Sequence, residues 1–215
     1  MNAKTLFFAA LLTAAVSLPA DSAVIFDNAD PPLSTTLRNS SIEGVAAYLQ
    51  IGASNVTIGQ IAINAEPFQS GQLKFVIFSD IAPPGSDSGS LLFSDTVNVS
   101  GSNSFSYILS DPLTFTLLAG HYYDIGAIFS GAEIAYTYDL FSDSMNGITS
   151  IVSNENVDNF ANPVLAGHAA SDISIRLYSP SSTVPEPASS TLAAVGLISA
   201  ALGLYVVARL KAWPR

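Results

Sequence analysis

The chain has no cysteine and very few basic residues, and each shortage removes whole classes of function. Without a thiol there is no disulfide framework, no thiolate nucleophile and no zinc–thiolate site, so stability has to come from an apolar core. Lys and Arg number seven in 215 residues. Only Arg38, Lys74 and Arg176 lie between residue 24 and Pro187, against sixteen acidic residues in the same stretch, a balance of −13. A surface of that sign repels nucleic acid and anionic lipid, because polyanion binding rests on clustered Lys and Arg. It suits solubility outside a cell, or the binding of cations. Amphipathic helical stretches are missing from the middle of the chain, and a parallel α/β fold needs them as crossovers between its strands.

What the middle does contain is period-two alternation. In "LKFVIF" Leu73, Phe75 and Ile77 share a face, as do Phe105, Tyr107 and Leu109 in "SFSYIL". "YYDIGAIF" lines up Tyr123, Ile125, Ala127 and Phe129, and "IAYTY" lines up Ile134, Tyr136 and Tyr138. "DISIRLY" points Ile173, Ile175 and Leu177 inward and leaves Asp172, Ser174 and Arg176 to water. Between them "SDIAPPGSDSGS", "VSGSNS" and "LLAGHYY" supply turn chemistry. Short strands separated by such turns predict an all-β fold, an antiparallel β-sandwich of the jelly-roll kind. Residues 179–184, "SPSSTV", read as a polar linker after it.

A catalytic constellation does not emerge from this stretch. "GSDSG" at 85–89 has Asp87 where a nucleophile elbow needs Ser, and reads as a turn. The two histidines, His121 and His168, have no neighbours at ligand or triad spacing. Glycoside hydrolysis needs two carboxylates at a set separation, but Asp80, Asp87, Asp111 and Asp143 sit in turn-like contexts. "NENVDN" places Asn154, Asn156 and Asp158 at alternate positions, as an oxygen-rich calcium loop would. It lacks the EF-hand Gly and closing Glu, with Asn159 and Leu165 in their places. "DNAD" at 27–30 is a second oxygen cluster. Tyr122, Tyr123, Tyr136 and Tyr138 are candidates for stacking on sugars, although alternation sends most of them to the core. Sequons at Asn39, Asn55 and Asn98 matter only in a host that glycosylates. No catalytic residue, metal ligand or cofactor is assigned, and the chain reads as a non-enzyme.

The two ends carry targeting information. Lys4 precedes an apolar stretch at 6–18 that is too short to span a bilayer comfortably, and small residues follow in "PADSA" at 19–23, the pattern of a secretory signal peptide. At the other end, residues 188–208 are 21 uncharged residues. As a helix they reach about 30 Å, the thickness of a bilayer's hydrocarbon core. Arg209, Lys211 and Arg215 come next and act as a membrane stop, placing the C-terminus in the cytoplasm and the sandwich outside.

The order "VPEP", then "ASSTLAAVGL", then the apolar span and a basic end resembles the PEP-CTERM sorting domain of bacterial exported proteins, over about 30 residues. The resemblance implies that Pro185, Glu186 and Pro187 are the motif read by a membrane transpeptidase-like enzyme, the exosortase. It implies transient anchoring in the bacterial inner membrane, then release to the cell surface or the extracellular polysaccharide matrix. Family tails often end in a dense Arg cluster, whereas here the charges are spread through "RLKAWPR". The motif also makes physical sense: Pro on both sides of Glu186 keeps the backbone extended and resists helix. The expected organisation is a signal peptide at 1–23, a β-sandwich at 24–180, and a linker with the sorting and anchor segment at 181–215. The expected role is that of an exported matrix or biofilm protein with exosortase and exopolysaccharide as partners and no nucleic acid. A carbohydrate- or calcium-binding module and a small secreted hydrolase stand as alternatives.

Overall fold

Alternating apolar segments broken by Gly, Ser and Asn satisfy their backbone groups by pairing side by side. The computed structural model describes residues 22–28, 34–38, 44–80, 89–139, 141–169 and 172–181. Among these there are sixteen strands and no helix. They are β1 (Val24–Asp27), β2 (Ser34–Arg38), β3 (Gly44–Ile51), β4 (Val56–Ile58), β5 (Gln60–Pro67), β6 (Gly71–Asp80), β7 (Ser90–Val99) and β8 (Ser106–Leu109). Then come β9 (Phe115–Leu117), β10 (Tyr122–Phe129), β11 (Ile134–Asp139), β12 (Ser144–Met145), β13 (Ile148–Asp158), β14 (Val164–Ala169), β15 (Asp172–Ile173) and β16 (Ile175–Tyr178).

All pairings are antiparallel. Sheet I runs β1-β16-β5-β11-β15, with β2 on β11 and β8 on β5. Sheet II runs β12-β13-β3-β10-β6-β7, with β14 on β13, and β4 and β9 form a small third sheet. Sheets I and II share one core in a sandwich-like arrangement. From sheet II, Val45, Ala47, Leu49, Leu73, Phe75, Ile77, Tyr123, Ile125, Ala127 and Phe129 enter it; from sheet I, Ile61, Ile63, Ile134, Tyr136, Ile173, Ile175 and Leu177. The inward faces read from "LKFVIF", "YYDIGAIF" and "DISIRLY" are therefore the observed ones, and in "IAYTY" Tyr138 is only half-buried.

Two faces differ from the alternation reading. In "SFSYIL" the residue packed on the core is Ile108, because Tyr107 and Leu109 lie opposite Asn64 and Ala62 on the outward face of β5. In "DISIRLY" Ser174 is buried, held between strands by its own backbone: its N–H donates to Thr137 O and its carbonyl accepts from Asn64 N–H.

Sheet II is apolar on its outer face too. Ala46, Val76, Phe78, Ile128, Val157 and Leu165 form a second buried cluster, with Phe160 packed on it. The β13–β14 turn supplies this cover. It bends at Asn159, which takes a φ of 63°, tolerable for Asn. Lys74 donates to the carbonyls of Phe160 and Ala161, and its ammonium lies 4.5 Å from the Phe160 ring centre. Gly126 of β10 fits against β3 only for lack of a side chain, since a Cβ there would run into Val45 O and Ala46 Cα.

At the sandwich edge, the two-residue turn Asn146-Gly147 has positive φ at both positions, the geometry of a type I′ hairpin. From it Asn146 Nδ2 reaches Ile25 O on sheet I at 2.9 Å. The two ends of the described domain also meet: Ser179 N–H donates to Ala23 O at 2.8 Å, and Ala23 N–H to Ser179 Oγ at 3.0 Å.

Candidate functional site

Among the described residues, the outer face of sheet I carries a constellation in which charge, aromatic surface and exposure coincide. Asp27 and Arg176 are direct partners across β1 and β16, and Arg176 is in turn opposite Ala62 on β5. β8 pairs on the far side of β5, bringing Tyr107 opposite Asn64 and Leu109 opposite Ala62. The small Ala62 leaves room for two long side chains to meet over the middle strand. The Arg176 guanidinium lies 3.8 Å from the Tyr107 ring centre, a cation–π stack. Its Nε donates to Asp27 Oδ2 at 2.6 Å, while the Tyr107 hydroxyl approaches Asp27 Oδ1 at 3.5 Å.

The side chains of Arg176 and Asp27 are 32% and 22% exposed, so solvent reaches the pair. Besides the stack on Tyr107, only Nε of the guanidinium is hydrogen-bonded, and its two terminal nitrogens make no hydrogen bond or ion pair within the described residues. Burial, reinforced by the Asp27 carboxylate, pushes the Tyr107 hydroxyl well above the ordinary tyrosine range, against the opposing pull of Arg176. Burial works against the Arg176 charge, but the Asp27 hydrogen bond with the fields of Tyr107 and Asp27 outweighs it and shifts its pKa upward. Tyr178 stands two residues along β16 on the same face, close enough to add to both shifts.

No family model matches the chain, and no curated protein matches it.

The other residues singled out in the sequence are scattered. His121 is exposed at the start of β10 with Tyr123 beside it, and His168 is on β14, paired in register with Glu155. Asn154, Asn156 and Asp158 lie on the extended strand β13, so "NENVDN" does not form a calcium loop. Asp27 of "DNAD" is committed to Arg176, and Asn28 is wholly buried as a bridge between backbone groups of Ile173 and Ile175. Among the described residues no three His, Asp or Glu side chains gather where they could hold a metal ion. Tyr123 and Tyr136 are core residues, while Tyr122 stacks on Tyr48 at 5.4 Å between ring centres and accepts a hydrogen bond from Gln50.

Sequence reasoning missed two features. Asp124 is a fully buried carboxylate in the middle of β10, opposite Tyr48 and Phe78. Its signal was an acidic residue inside an otherwise apolar strand. The Arg176–Tyr107–Asp27 grouping joins residues about 70 to 150 apart in sequence. Its only trace was the scarcity of Arg.

Pro185, Glu186, Pro187, Arg209, Lys211 and Arg215 lie outside the described residues, as do the signal segment at 1–21 and the apolar span at 188–208. Among the described residues no helix is long and apolar enough to cross a membrane.

Proposed function

We propose that this is an exported, non-enzymatic protein of the bacterial surface or extracellular matrix: a jelly-roll-like sandwich delivered through a PEP-CTERM sorting tail. The observation that carries the reading is the tripartite tail. Pro185-Glu186-Pro187 stands before an uncharged span of 21 residues and a basic end, in a chain that opens with signal-peptide features. The domain supports it in two ways. Its acidic, cysteine-free composition suits an extracellular life without disulfides. The hydrogen bonds between Ala23 and Ser179 put the two ends of the described domain side by side.

In this scheme Arg209, Lys211 and Arg215 hold the span in the inner membrane, and exosortase acts at the Pro-Glu-Pro motif to free the domain. The decisive experiment replaces Glu186 with Ala in an exosortase-bearing host and follows the domain by cell fractionation. Retention of the variant in the membrane fraction is expected, with loss of at least about 90% of the released form, tenfold being the ordinary scale of one lost charge-assisted contact. Release at the wild-type level sinks the sorting reading.

A further inference from the structure

The Arg176 fork stands out against the charge of the whole domain. Lys74, the other basic side chain the structure describes, is committed to the Phe160 and Ala161 carbonyls and to the Phe160 ring. Arg176 is held from two sides, its Nε by Asp27 and its plane by the Tyr107 ring, yet both terminal nitrogens are left uncommitted and the side chain is a third exposed. A guanidinium immobilised in this way has lost its rotamer freedom before any ligand arrives. It offers a planar pair of donors with the geometry of a carboxylate.

We propose that Arg176, with Tyr107 and Tyr178 beside it, binds the carboxylate of an acidic sugar, a uronate, in an extracellular polysaccharide. Three observations select this ligand. One guanidinium already sharing its charge with Asp27 suits a monoanion, and no second described basic side chain is free for a phosphate or sulfate dianion. Tyr107, Tyr178 and the exposed Leu109 give the same face ring and apolar surface on which the C–H side of a sugar can lie. The strongly acidic composition repels a dense polyanion, and screening confines that repulsion to about 8–10 Å at physiological salt. The fork therefore favours a chain in which carboxylates are sparse, a uronate flanked by neutral sugars, over a continuous polyuronate.

The inference rests on the export reading only for where such a sugar is met. Binding in vitro is independent of the tail, so failure here leaves the Glu186 test standing, and the reverse also holds. The experiment measures binding of the detergent-solubilised full chain by affinity electrophoresis and calorimetry. The probes are gellan, with its single glucuronate per repeat, the same gellan with carboxyls reduced to alcohols, and alginate as the dense polyuronate. Native gellan should bind, and reduction of its carboxyls should weaken binding about tenfold or more, the cost of one charge-assisted pair. Alginate should bind more weakly than gellan at low salt and recover as salt is added. Arg176→Gln should match the effect of carboxyl reduction, and Tyr107→Phe should keep most of the affinity, since its ring remains. Because Arg176→Gln also removes the Asp27 pair and can unfold the domain, the comparison of native with reduced gellan on the unaltered protein is decisive. Equal binding of the two, or binding of neither, overturns the proposal. Alginate bound as tightly as gellan at low salt overturns the preference for sparse carboxylates.

Discussion

Removing the side chain of Asn28 tests how sheet I is held where β1 stops. β1 ends at Asp27 and β16 begins at Ile175, so the Ile175 N–H and the Ile173 carbonyl, at the junction with β15, have no strand partner in β1. Asn28 replaces it: Nδ2 donates to Ile173 O at 2.8 Å, and Oδ1 accepts from Ile175 N–H at 2.7 Å. The residue is completely buried, so water cannot take over either role. Asn28→Ala orphans one N–H and one carbonyl, each costing about 1–3 kcal/mol, for a total of about 2–6 kcal/mol. In a domain of this size, at about 2–4 °C per kcal/mol, that lowers Tm by about 4–24 °C. Asn28→Asp is the sharper variant, because it keeps the acceptor for Ile175 but turns a second oxygen toward the carbonyl of Ile173. At neutral pH it should be at least as damaging as Ala. Urea denaturation of the purified protein gives both values. An Asn28→Ala variant within about 0.5 kcal/mol of the wild type, the range of ordinary surface changes, refutes this account of the edge.

Two further predictions concern the same sandwich. Lys74→Met keeps the apolar stem and removes the ammonium from the Phe160 and Ala161 carbonyls; it should cost about 1–2 kcal/mol and speed limited proteolysis in the β13–β14 turn, and unchanged cleavage would count against the tether. Tyr107 keeps its proton in the folded state at a pH where the unfolded chain gives it up, so its contribution is complete below about pH 10 and drains away as the pH rises further. The wild type should therefore lose stability relative to Tyr107→Phe as the pH rises above about 10, and parallel stability curves there would show that the hydroxyl is not held in this way.

The parts of the fold legible in the sequence were those where a single face is buried. Leu73, Phe75 and Ile77, or Ile173, Ile175 and Leu177, alternate with polar neighbours, and period two reads directly as inside and outside. β3 was not legible as a strand. "GVAAYLQI" is apolar without alternation because the second cluster, with Ala46 in it, buries its outer face, and a run buried on both sides loses its period. β8 was read with its faces reversed, since an edge strand takes its register from the strand it joins, and Asn64 opposite Tyr107 sends that ring outward. The Asn146-Gly147 dipeptide, a strong hairpin signal passed over in the sequence reading, is realised as a turn with both φ angles positive.

By itself the sequence determined the class and carries the proposed address. The shortage of helical patterning required strands, the absence of cysteine required an apolar core, and the ordered tail of motif, span and basic end carries its proposed sorting information in local chemistry that needs no fold to be read. The tertiary structure alone decided the site. Asp27, Tyr107 and Arg176 are unremarkable in their own segments, and they become a fork because antiparallel pairing lays β1, β16, β5 and β8 side by side with Ala62 in the gap. Local periodicity fixes which way a side chain points; only strand order fixes which side chain it meets.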